Sequence, residues 1–232
     1  GELVPLPETA AERTVVSTGP LSATLRIERD AGPVRWRQEV TLHASLRRVD
    51  ITNMLIPQAS PAGAENWLGY FVFPFRLANP RFRVELPGAL LTPEVDQLKG
   101  GCRDFWAVQH WVAISNDERS ILFSAPDTPL LELGRRMPSL QQYHPEAVIE
   151  CATVWIRALS VGSRRELSDS PFASDEPLTV RFSLTTREGA LDPLAAAHFG
   201  WESMNPLFAR PVLPRQGGAL PMGRYSWCQV EP

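Results

Sequence analysis

The densest chemistry in this 232-residue chain lies between Pro93 and Val112. Asp96, Gln97, Asp104, Gln109 and His110 stand there beside Trp106 and Trp111. Carboxylates and amides can chelate paired hydroxyls, and an aromatic face can stack on the C–H face of a pyranose ring. A carbohydrate contact requires that mixture, so Asp96, Gln97, Asp104, Gln109, His110 and Trp111 are the candidate substrate-binding residues. Turn chemistry alone also favours Asp, Gln and Gly in such a segment. Trp106 and Trp111 have opposite parity in one extended run, which puts at least one of them in the core.

Other chemistries find little support. A metal site needs two or three nitrogen, sulfur or carboxylate ligands converging on one point. The histidines at 43, 110, 144 and 198 share no strand face at close spacing. His43 lies on the polar side of a long strand and reads as a solvated surface residue. The Gly-x-Ser-x-Gly elbow of serine hydrolases does not occur in the sequence. Gly217-Gly218 and Gly223 neither follow a strand nor open a helix, so they do not read as a phosphate cradle. A proton-transferring pair of His110 with Glu85 or Glu94 would suit an epimerase acting at an anomeric oxygen. No spacing in the sequence singles that pair out.

Charge and cysteine usage narrow the classes further. With 23 Lys and Arg against 26 Asp and Glu, the net charge is 23 − 26 = −3, unlike the basic stripe of a nucleic-acid binder. No apolar run approaches the ~18–20 residues of a membrane span. Gly1-Glu2-Leu3-Val4-Pro5 has neither the basic nor the apolar region of a signal peptide. Cys102, Cys151 and Cys228 are odd in number and far apart, which suggests reduced thiols in a cytoplasmic protein.

The elements that must position these residues read as strands. The 22 prolines make about twice the usual ~5%, and interior proline costs a helix ~3 kcal/mol. Leu21 to Glu28 alternates with period two, as does Val34 to Leu46, where only Gln38 breaks the apolar side. Asp30-Ala31-Gly32-Pro33 between them predicts an antiparallel hairpin. Arg35, Arg37 and His43 on its polar side form the alternative binding face. Val49, Ile51 and Leu55 continue the alternation. Trp67 to Phe75 is apolar on both sides and predicts a central strand buried between layers. Further strands are expected at Phe82–Glu85, Trp106–Ile114, Ile121–Phe123, Val148–Ala158 and Leu178–Leu184. Asp192 caps the one predicted helix, with Pro193 at its first position and Gly200 closing it. About nine strands and one short helix near the C-terminus give an all-β fold of two large sheets. Residues 1–210 read as one domain, and 211–232 as a Pro- and Gly-rich C-terminal arm.

Four segments carry a family resemblance across residues 20–210. Glu65-Asn66-Trp67-Leu68-Gly69-Tyr70-Phe71-Val72-Phe73-Pro74-Phe75 resembles a strand of bacterial family 38 glycoside hydrolases, the α-mannosidase family. Asp96-Gln97-Leu98-Lys99-Gly100 is similar to that family's Asp-Gln-Leu-Pro-Gly, with Lys99 in place of proline. Val108-Gln109-His110-Trp111-Val112 resembles its Val-Gln-x-Trp-Val, and Ser124 to Leu130 its Asp-Ala-Pro-Leu segment. The resemblance implies a β-supersandwich like that of galactose mutarotases, forming the C-terminal domain of an α-mannosidase-like enzyme. It also implies a mannoside-like carbohydrate as partner, beside a preceding α/β catalytic domain. The family's catalytic aspartate and zinc ligands lie in that domain, so the resemblance brings no catalytic residue, metal ligand or cofactor to this chain. A free-standing carbohydrate-binding module and a mutarotase-like protein are the alternatives.

Overall fold

The computed structural model describes residues 9–31, 34–58, 67–101, 103, 105–134, 149, 151–161 and 177–207. Their elements are β1 (Glu12–Thr18), β2 (Ser22–Asp30), β3 (Val34–His43), β4 (Val49–Pro57), β5 (Trp67–Pro74), β6 (Arg81–Leu86) and β7 (Ala89–Leu91). Then follow β8 (Trp106–Ala107), β9 (Val112–Ser115), β10 (Arg119–Ser124), β11 (Leu130–Leu133), β12 (Thr153–Val161), β13 (Leu178–Glu188) and α1 (Pro193–Met204). Nine strands form one sheet in the order β1-β2-β3-β4-β13-β10-β9-β6-β7, and four form the other in the order β5-β12-β11-β8. Every pairing is antiparallel, so the fold is an all-β, two-sheet sandwich with one short helix. The helix is too short to cross a membrane.

Period-two alternation places the core between the sheets. Phe82, Val84, Val112, Ile114, Phe123, Val180 and Phe182 of the large sheet meet Leu131, Leu133, Val154 and Ile156 of the small one. Phe73 ties the layers together, packing against Phe123 and Phe182. The small sheet covers only part of the large one. Val15, Leu25, Val40, Ile51 and Phe182 lie in one cross-strand row, buried at the Phe182 end and exposed at Val15 and Leu25.

The opposite face of the large sheet is polar on β2–β4. Arg26 pairs with Glu39, both Arg35 and Arg37 pair with Glu28, and His43 and Ser183 both donate to Asp50. Near β9 and β10 this face turns apolar, and α1 closes it. Trp111, Ala113 and Leu122 pack there against Ala196 and Phe199. The N-cap forms as expected, the Asp192 carboxylate accepting from Leu194 and Ala195 N–H.

Three expectations need correction. The run from Trp106 to Ile114 is two strands in different sheets. β8 belongs to the small sheet and β9 to the large one, and the chain crosses between them at 108–111. Hydrogen bonds from Val108 N–H to Pro129 O and from Gln109 N–H to Glu85 O carry the crossing. Trp67–Pro74 is an edge strand of the small sheet, with Tyr70 meeting Trp155 on its outer side. Finally, α1 does not end at Gly200 but runs to Met204 with Asn205 as its C-cap. Gly200 is there for close approach: a Cβ on it would lie 2.5 Å from Trp111 Cδ1 and 2.9 Å from His110 Cβ. The expected arm at 211–232 lies outside the described residues.

Candidate carbohydrate site on the outer face

The crossing at 108–111 sets Gln109 and His110 beside β6 at the outer face of the large sheet. Gln109 and His110 sit in its bend, held by backbone bonds to β6: Gln109 N–H donates to Glu85 O, and Glu85 N–H donates to Trp111 O. His110 Nδ1–H donates to Glu85 Oε2 at 3.1 Å. The imidazole then stacks on the indole of Trp201, with centroids 4.9 Å apart and planes inclined by 29°. His110 and Glu85 are mostly covered, their side chains 10% and 19% exposed, whereas Trp201 is 57% exposed. The result is an aromatic platform on a fixed polar support.

Asp96 and Gln97 lie in the turn after β7, which continues from Leu91 opposite Val84 toward Arg83. Thr92 O accepts from the N–H groups of both Val95 and Asp96, while the Asp96 carboxylate accepts from Thr92 N–H at 2.6 Å. This bond, helped by the Arg83 charge, holds the Asp96 carboxyl below the usual carboxylate range. Arg83 and Glu85 are two residues apart on the outer face of β6, so they link the Asp96 turn to the His110–Trp201 stack. A groove of about 350 Å³ runs beside them, with Arg81, Arg83, Thr92 and Leu191 among its walls. Gln97 is half-buried in the turn, and Gln109 is exposed.

The predicted residues therefore divide. Gln109 and His110 lie together at Glu85, while Asp96 and Gln97 lie in the turn after β7, where Asp96 is bonded to Thr92 and feels the Arg83 charge. Trp111 does not belong with them: it is 2% exposed beneath α1, and a sugar cannot reach it. Asp104 lies outside the described residues. Of the two acids considered as partners of His110, Glu85 is the one in contact, while Glu94 accepts from the backbone N–H of Ile149. Trp201 was missed because Gly200 reads as a helix terminator. The signal was in the helix itself, where Leu194 and Trp201 fall on the side away from the buried Ala196 and Phe199 and stand exposed.

Arg35, Arg37 and His43 are engaged by Glu28 and Asp50, so the alternative face presents closed ion pairs. Ser183 and His43 both bond to Asp50 rather than to each other, which leaves the serine without a base. Among the described residues, no group of three His, Cys, Asp or Glu side chains could hold a metal ion. The zinc that the resemblance implies thus has no fitting ligand set among them.

No protein-family model and no curated protein matches the chain. Solved structures do. An α-mannosidase from Enterococcus faecalis V583 superposes with a TM-score of 0.58 and 11% identity, over 86% of this chain and 24% of its own. A family 38 glycosyl hydrolase protein from Enterococcus faecalis gives a TM-score of 0.62 at 10% identity, over 86% of this chain and 25% of its own. The chain thus has the fold of part of those proteins and spans about a quarter of their length. A putative aldose 1-epimerase from Escherichia coli also aligns, but its TM-score of 0.40 is too slight to fix the fold.

Proposed function

We propose that this chain is the C-terminal-type β-sandwich domain of an α-mannosidase-like glycoside hydrolase, contacting mannoside-like carbohydrate through the Trp201 face. The observation that carries the reading is the shared fold with family 38 proteins over 86% of this chain at a quarter of their length. A preceding α/β domain would supply the catalytic carboxylate and the zinc ligands. The β domain would supply one wall of the substrate cleft, in a cytoplasmic protein.

The Trp201 platform suits that role. An indole supported by His110 presents a flat apolar surface for a sugar's C–H face, and the exposed Gln109 amide offers both a donor and acceptors for hydroxyls. Asp96 adds a carboxylate, partly engaged by its own turn. One wall binds weakly, so the affinity for a free monosaccharide should be on the order of millimolar, ~−4 kcal/mol.

The His110–Glu85 contact favours a second reading, a mutarotase-like proton transfer. Its geometry argues for support instead, since the imidazole is sandwiched between Glu85 and Trp201 and offers little surface to a substrate. Assaying the purified chain separates the readings. Absence of aryl α-mannoside turnover, with or without zinc, together with weak α-mannobiose binding supports the domain reading. Catalysed α/β interconversion of a free hexose, lost in His110→Ala, would replace it with the second.

A further inference from the structure

Two polar residues interrupt the apolar inner face of β3 and β4, and they meet. Gln38 and Asn53 are cross-strand partners. Asn53 is wholly buried, and its Oδ1 accepts from Trp36 Nε1–H at 3.0 Å and from Gln38 Nε2–H at 2.9 Å. Its own amide donates to Val180 O at 3.3 Å. The Trp36 ring is thereby fixed at the margin of the core, against the Ala31, Val34 and Leu55 cluster.

Over that ring lies Arg29, its guanidinium carbon 4.4 Å from the ring centroid. This arginine differs from its neighbours. Arg26, Arg35 and Arg37, on the outer face of the same two strands, each hold a carboxylate. Arg29 is half-buried on the inner face, its Nε is enclosed without a hydrogen-bond partner, and no carboxylate among the described residues meets it. Arg13 stands exposed on the same face, one row away opposite Ile27, also without a carboxylate among the described residues. Half-buried charge is normally paired, so Arg29 beside a locked tryptophan, with the exposed Arg13 one row away, forms a positive island that no carboxylate among the described residues compensates. Exposed Val15 and Leu25 flank it where the small sheet no longer covers the large one.

We infer that this inner-face island is a binding site for a small molecule bearing an oxyanion, a carboxylate or a phosphate, received end-on by the terminal amino groups of Arg29 above Trp36. The enclosed Nε rules out the side-on fork. Arg13 adds a second positive charge, and Val15 and Leu25 offer apolar surface for the rest of the molecule. The site lies on the opposite face from Trp201 and does not depend on the carbohydrate reading.

The test is a ¹⁵N NMR titration of the 232-residue chain with inorganic phosphate, mannose 6-phosphate, glucuronate and neutral mannose. The inference expects an anionic probe to move the Trp36 indole and the Arg29 and Gln38 resonances. Mannose should leave them still. Response to the phosphates alone identifies a phosphate site, and response to glucuronate alone a carboxylate site. Arg29→Gln should weaken binding at least tenfold, whereas Arg35→Gln on the outer face should not. Unchanged Asn53 resonances in Arg29→Gln would show that the face keeps its structure. No anion-dependent shift at Trp36 and Arg29, equal shifts with neutral mannose, or undiminished binding by a folded Arg29→Gln would each overturn the site. Mannoside shifts at Trp201 report on the other reading separately.

Discussion

A Cβ placed on Gly200 would stand 2.5 Å from Cδ1 of Trp111. That approach is how α1 seats on the large sheet, and through the next residue it sets the Trp201 ring on His110. Gly200→Ala gains about 1 kcal/mol of helix propensity but overpacks a buried tryptophan at about 1–3 kcal/mol. We expect a net loss of about 1 kcal/mol in urea unfolding, with a changed Trp201 environment. A more stable Gly200→Ala would mean that the contact relaxes at no cost.

Trp111→Ala tests the division of the predicted residues. As a core residue it should destabilise by about 3–5 kcal/mol. Gln109→Ala, two residues earlier and exposed, should leave the unfolding midpoint within about 0.5 kcal/mol and weaken sugar binding. The reverse pattern would put Trp111 in the site.

Much of this could be read from the residues, and the failures have physical causes. Alternation marked β2, β3, β4 and β13, because apolar and polar residues keep to opposite sides in each; in β13 the apolar side is buried, whereas in β2 Ala23 and Leu25 stand exposed. It also marked Gln38 as the break in β3, without showing that Asn53 across the ladder was its partner. The same alternation could not show the crossing at 108–111. Trp106, Val108, Val112 and Ile114 all point into one core, although the chain changes sheets among them. Local sequence reports which way a side chain points, whereas hydrogen-bond partners decide the sheet. Gly200 misled for a related reason: a glycine required by a distant tryptophan looks the same as one that ends a helix.

Asp96 predicts a pH dependence. Its carboxyl is lowered by the bond from Thr92 N–H and by Arg83. A depressed folded pKa means a contribution to stability that is present above the ordinary value, ~3.9. That contribution is lost as pH falls through the folded pKa. Carboxyl-detected NMR should place the Asp96 midpoint below ordinary Asp, with the Thr92 amide shifting in step. A midpoint at or above ~3.9, or a Thr92 amide that ignores it, would contradict the turn.

Asp127 and Arg181 tie the β10–β11 connection to β13. The carboxylate accepts from Arg181 Nε, Nη2 and backbone N–H, and this raises the arginine's pKa. The pair is partly exposed, so Asp127→Ala should cost only about 1 kcal/mol. Sugar binding should be unaffected. A loss several times larger would show that the pair organises the whole connection.

Whether mannoside-like carbohydrate meets this domain on the Trp201 face is decided by chemical-shift mapping with α-mannobiose. Shifts are expected at the Trp201 indole, the Gln109 side-chain amide and the backbone of the Thr92–Gln97 turn, weakened by Trp201→Ala and Gln109→Ala in folded protein. Shifts confined to the Arg35, Arg37 and His43 hairpin, or none at millimolar sugar, would contradict that contact.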